Sequence, residues 1–241
     1  MKLIASKRLG LVFAGLLQLS GNSYAELVVD KSIIFFDDLQ SSREDVGVSN
    51  SNNEERLFVS VEGYEVEAPG TEDERLVPLQ QNLKPTFIAT PNKLAIDPGG
   101  SSIVRLLNLD RSGEQERVYR INFLPITKPL ELESPSEGDT VAPALEIVIA
   151  YQVLAIVLPA SAEANVEATR SGTNAVFTNT GNANYLLTRG TQCNPADPEM
   201  CAELPSRRVY PGNRFEFDLP YDGPFSYTVR SSSGNVAKQF P

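Results

Sequence analysis

No histidine occurs anywhere in the 241 residues. That absence removes serine and cysteine hydrolase triads and histidine-ligated zinc from consideration. A glycine-rich phosphate loop is missing as well, since Pro98-Gly99-Gly100-Ser101 reads as a hairpin turn. Positive charge is scarce: 21 Lys and Arg face 31 Asp and Glu, a net charge of −10. Such a balance argues against a nucleic-acid partner, which needs clustered cations. Carboxylate groups such as Glu54-Glu55, Glu72-Asp73-Glu74 and Glu131 with Glu133 fall in hydrophilic stretches, and nothing selects a facing catalytic pair. The chain therefore reads as a non-enzyme with no metal site and no cofactor.

The N-terminus has the three parts of a secretory signal peptide. Lys2, Lys7 and Arg8 are its basic start, LGLVFAGLLQL its short apolar core, and Ser23-Tyr24-Ala25 its cleavage site. Residues 1–25 are thus expected to be removed, giving a mature chain of net charge about −13. No other run reaches the roughly 20 apolar residues a bilayer span needs, so no stable membrane insertion is expected. Cys193 and Cys201, within TQCNPADPEMC, are the only cysteines. Two thiolates without histidine make a poor zinc site, and in an exported chain they read as one disulfide closing a short loop.

What is present is β throughout. Strand-like runs cover 27–29, 33–36, 46–49, 57–64, 87–90, 93–96, 102–108, 117–123 and 145–158, divided by Asn, Pro and Gly turn signals. LFVSV and VYRINF alternate cleanly, as strands packed on one face do. After Pro159, ASAEANV is small and polar like a hinge. A second series follows at 175–179, 185–188, 207–210, 214–219, 225–230 and 236–240. The spacing predicts an all-β protein of two sandwich domains, at 26–159 and 160–241.

The run LEIVIAYQVLAIVLP is the outlier. It is apolar on both alternating faces and follows TKPLELESPSEGDTVAP, an acidic Pro- and Ser-rich stretch that reads as a mobile loop. A central sandwich strand satisfies this pattern. So does a strand whose second face is kept for a partner, because an exposed apolar edge is otherwise an aggregation hazard.

Several stretches together resemble the PapD-like periplasmic chaperones of pilus assembly, the chaperone–usher pathway. They are ELVVDKSIIFF, FIATPNKLAIDPGGSSIVRLL, ERVYRINFLPI and AVFTNTGNANYLLT. AYQVLAIVLP and YRINFLPI are most similar to the divergent alternative or archaic, Csu-like branch. The resemblance implies two immunoglobulin-like β-sandwich domains in a boomerang arrangement. It implies periplasmic localisation, pilin or fimbrial subunits and an outer-membrane usher as partners, and donor-strand complementation as the mechanism. The donor strand would be 145–158, with Leu145, Ile147, Ile149, Tyr151 and Val153 facing the subunit. Val148, Ala150, Leu154 and Ile156 would then face the chaperone's own core. When free, the strand needs a cover, and a self-capped dimer is one way to supply it.

The family also grips the subunit's C-terminal carboxylate with two basic residues in the interdomain cleft. Here the matching positions are Ile33 and Leu154. Arg120, Arg105 and Lys128 are the expected substitutes, because a planar guanidinium pairs well with a carboxylate. Each suits an ordinary ion pair equally well. The alternatives to a chaperone are a structural or adhesive β-sandwich protein of the cell surface and, less well supported, a secreted hydrolase on such a scaffold.

Overall fold

The computed structural model describes residues 27–37, 42–81, 83–110, 112–127 and 148–241. The signal-peptide assignment, Lys128, Leu145 and Ile147 lie outside them. Among the described residues the only helical segment is a single 3-10 turn, Leu79–Gln81.

The first sandwich pairs two sheets. One contains β1 (Leu27–Val29), β3 (Arg43–Asn50), β8 (Ser101–Asn108) and β6 (Phe87–Thr90), in that order. The other runs β2 (Ile33–Phe36), β10 (Tyr151–Val157), β9 (Arg117–Pro125), β4 (Leu57–Glu67) and β5 (Arg75–Pro78), with β7 (Lys93–Ile96) also on β4. Alternation sets the core: Val59 and Val61 of β4, Tyr119, Ile121 and Phe123 of β9, and Val104 and Leu106 of β8 are all buried. Phe87 is stacked on Tyr119 at 4.2 Å and meets Phe36 edge-on at 5.3 Å, tying the two sheets together.

The second sandwich follows the same logic on a smaller scale. One sheet is β11 (Val166–Ser171), β12 (Asn174–Asn179) and β16 (Arg214–Asp218). The other is β14 (Asp197–Leu204), β13 (Tyr185–Asn194), β17 (Phe225–Ser231) and β18 (Gly234–Phe240), with β15 (Arg207–Val209) on β13. Phe177 is the hub of its core, with Phe240, Tyr227 and Phe225 edge-on at 4.9, 5.5 and 6.0 Å. Cys193 and Cys201 form a disulfide between paired positions of β13 and β14.

The two sandwiches touch through polar groups. A buried Asn179 sets up one contact. Its Nδ2 donates to the carbonyls of Ala183 and Val209, and its Oδ1 accepts from Gly181 N, which fixes the turn 179–184. That turn presents Asn182 and Asn184 to the first domain. Asn182 Nδ2 donates to Glu114 O at 3.1 Å, and Asn184 donates through N and Nδ2 to Glu116 Oε2 at 2.7 and 2.6 Å. A second contact comes from the β4–β5 loop, where Asn213 Nδ2 donates to Pro69 O at 2.7 Å.

Candidate functional site: an open strand edge and an interdomain cleft

β10 is unequally partnered along its length. Leu154–Val157 pairs with β2 on one side and β9 on the other. Tyr151, Gln152 and Val153 pair only with β9, at Phe123, Asn122 and Ile121. On the other edge of these three residues no strand lies among the described residues. Val148–Ala150 continue this segment outside any strand, with Val148 and Ile149 each 46% exposed. The chain therefore leaves the core with one backbone edge that no described strand pairs and with apolar side chains in solvent.

The faces differ from the sequence expectation. Val153, Ala155 and Val157 fill the first domain's own core, and Tyr151 is half-buried against it. Leu154 and Ile156 point to the opposite face, where Ile156 registers with Phe35 and Val118. Leu154 and Ile156 thus lie outside the core cluster they were expected to join, although Ile156 is itself fully buried, and Val153 belongs to the core rather than to the subunit-facing side. Alternation fixes which residues share a face, but a strand apolar on both faces carries no mark of which one the sandwich covers. Ile149 has the parity of Val153 and extends that face into solvent.

Between the domains lies a cleft of about 450 Å³. Ile33 and Phe35 of β2 and Leu158 line its first-domain side. Ile33 and Leu154, the positions where basic residues were sought, are register partners, and both are apolar. The cations come from the second domain. Arg208 on β15 and Arg230 on β17 are both cross-strand partners of Leu186 on β13, so the three form one row facing the cleft. Arg208 Cζ stands 5.6 Å from the centre of the Phe35 ring, and Nη1 donates to Asn184 Oδ1. Burial pushes the Arg208 guanidinium below its ordinary value. Arg230 Nε donates to Asn235 Oδ1 at 3.3 Å. Among the described residues neither guanidinium is in ion-pair range of a carboxylate, although Asp37 also lines the cleft.

Of the expected anchors, Arg105 and Arg120 are already partnered, and Lys128 lies outside the described residues. Arg105 on β8 forms a two-armed contact with Asp45, Nε to Oδ1 2.9 Å and Nη2 to Oδ2 3.3 Å. Arg43 shares that carboxylate, and the two guanidiniums hold Asp45 below the usual carboxylate range. β8 belongs to the sheet that does not contain β10. Arg120 lies opposite Leu154, but its Nη2 is 2.6 Å from Glu74 Oε1. The sequence offered no signal for Arg208 and Arg230, which meet only through β13.

Set beside proteins of known structure, these features have close parallels of fold. The class 5 fimbriae chaperone CfaA superimposes with a TM-score of 0.61 at 18% identity, covering 89% of this chain and 99% of that one. The chain has the fold of the fimbrial chaperones. One chain of the CsuC–CsuE complex, a chaperone with its tip adhesion subunit from archaic Csu pili of Acinetobacter baumannii, gives a TM-score of 0.54 at 11% identity, covering 88% and 97%. In sequence, an Escherichia coli protein named as a CS1 fimbrial subunit is 26% identical over 193 residues, covering 78% of this chain and 80% of that protein. No protein-family model matches the chain.

Proposed function

We propose that this chain is a periplasmic chaperone of fimbrial assembly that lends strand to a subunit and passes it to an outer-membrane usher. One observation carries the reading: β10 leaves the core at Val153 with an edge that no described strand pairs, and its inner face continues into solvent at Ile149. Adding such an edge to an incomplete sheet supplies backbone hydrogen bonds, and alternate apolar side chains fill the partner's groove. Ile147 and Leu145 share that parity in the sequence. The subunit's C-terminal carboxylate is taken by Arg208 and Arg230, with Ile33 and Phe35 beneath its last side chain. Those two arginines replace Arg120, Arg105 and Lys128 as the anchor.

The name of the sequence relative favours a second reading, a fimbrial subunit. A subunit that receives a strand is an incomplete single sandwich with an apolar N-terminal extension to donate. Here two sandwiches each enclose a core of their own. The test is co-expression of the tagged chain with its neighbouring subunits but without an usher. Equal recovery of a small β-rich protein, lost in Ile149→Asp, supports the chaperone. Polymerisation of the chain itself, or no partner under conditions where subunits are made, overturns it.

A further inference from the structure

A continuous relay crosses the domain boundary behind the cleft. Glu116, just before β9 in the first domain, accepts from both N and Nδ2 of Asn184 through one oxygen, Oε2. The amide so oriented turns its own oxygen to the cleft, where Arg208 Nη1 donates to it. Asn184 is 4% exposed, so water does not compete for its amide. Without Glu116 the amide is held toward the guanidinium only by Arg208 itself, and its Nδ2 loses the acceptor that fixes the plane of the group. We propose that Glu116 is a positioning residue: by fixing the Asn184 amide it holds the Arg208 guanidinium in the cleft, ready for an incoming carboxylate.

This rests on the anchor reading above and adds two things to it. Arg208 alone brings only charge on a long, flexible stem, whose immobilisation opposes binding. A guanidinium already pinned by Asn184 and laid on the Phe35 ring has lost that freedom beforehand. The relay also makes the anchor depend on domain contact. Glu116 belongs to the first domain, whereas Asn184 and Arg208 belong to the second. A chaperone whose domains have come apart presents a loose arginine and grips a carboxylate poorly.

The experiment compares two forms of one probe on the full chain. The probe is a short synthetic peptide of alternating valine and threonine with a free C-terminal carboxylate, set against its C-terminal amide. Wild type is expected to prefer the acid roughly tenfold, the scale of one charge-assisted hydrogen bond. Arg208→Ala lowers the ratio to the part that Arg230 still supplies, and Glu116→Ala lowers it nearly as far although Arg208 remains. Asn184→Ala matches them, and the Glu116→Ala/Asn184→Ala pair is no worse than either single change, as members of one relay require. If Glu116 only staples the domains, its removal weakens acid and amide alike and leaves the tenfold ratio; that result overturns the positioning role while the anchor stands. No acid preference in wild type overturns the anchor itself. Thermal unfolding of each variant identifies any that fail to fold, in which case Asn184→Ala alone decides.

Discussion

Arg120 Nη2 lies 2.6 Å from Glu74 Oε1, joining the middle of β9 to the loop between β4 and β5. Both side chains are about a quarter to a third exposed, at 30% and 24%, so water screens the pair and its contribution is about 0.2–1 kcal/mol. Within the same loop Gly70 N donates to Glu74 Oε2 at 2.8 Å, and Pro69 O accepts from Asn213 of the second domain. Arg120 thus braces a loop rather than offering a free cation to the cleft. Arg120→Ala is expected to lower stability by less than about 1 kcal/mol and to leave subunit capture unchanged. Urea unfolding and the co-expression assay check both parts. Loss of capture with intact stability returns the anchor to Arg120.

Ile149 and Val153 share a face of one segment yet should behave oppositely. Ile149 is 46% exposed and outside any strand, so Ile149→Asp changes the stability of the free protein by no more than about 0.5 kcal/mol. It should still weaken subunit capture roughly a hundredfold, through lost apolar burial and a carboxylate forced into an apolar groove. Val153 is fully buried in the first core, and Val153→Ala should cost about 2 kcal/mol by leaving a cavity. Capture per folded molecule should survive that change. Equal loss of capture in both variants would place the subunit contact deeper along β10.

Gly190 is where β13 passes the Tyr227 ring. A Cβ built there would stand 2.3 Å from the ring and 2.8 Å from Leu204 Cβ, closer than real atoms approach. Tyr227 cannot swing away easily, being 1% exposed and donating its hydroxyl to Pro205 O at 2.9 Å. Gly190→Ala is therefore expected to destabilise the second domain by about 1–3 kcal/mol through overpacking. Tyr227→Leu in the same chain should restore part of the loss, giving a non-additive cycle in urea unfolding. An additive cycle would mean that the ring is not what the methyl meets.

How much of this was legible in the chain depends on whether a strand is central or at an edge. The central strands β4 and β9 alternate strongly because each faces a core on one side, and their positions follow from the sequence. β5, β11 and β14 did not stand out. All three lie at sheet edges, and β14 is exposed at six of its eight positions, so its residues, apart from Leu204, carry no apolar rhythm. The stretch around Cys193 and Cys201 read as a loop for that reason, although the disulfide itself was legible from export and the absence of histidine. In the candidate site, the segment proposed to be lent showed through its two-sided apolarity. Its inner face did not, and neither did the arginine pair, since β15 and β17 each look ordinary until β13 brings them to one row.

Glu116 also carries a signature in the pH dependence of stability. Burial pushes its carboxyl above the ordinary 4.5, outweighing the two hydrogen bonds from Asn184 and the charge of Arg208, which act the other way. Its second oxygen, Oε1, is buried without a hydrogen-bond partner among the described residues. A carboxyl whose folded value is raised binds its proton more tightly in the native state than in the unfolded chain. Stability contributed by that proton is full below 4.5 and falls as the pH climbs through the folded value. Asp45 and Asp110, held low by their partners, have the opposite sign and lose their contribution only in stronger acid. They are present in wild type and variant alike, so subtraction removes them. Wild type should therefore lose stability relative to Glu116→Gln as the pH is raised from 4.5, and the difference should level off once Glu116 is ionised in both states. Urea unfolding of the two proteins across that range measures the difference directly. A flat difference would show that domain closure leaves Glu116 well hydrated, and a difference of reversed sign would show that the hydrogen bonds from Asn184 outweigh burial.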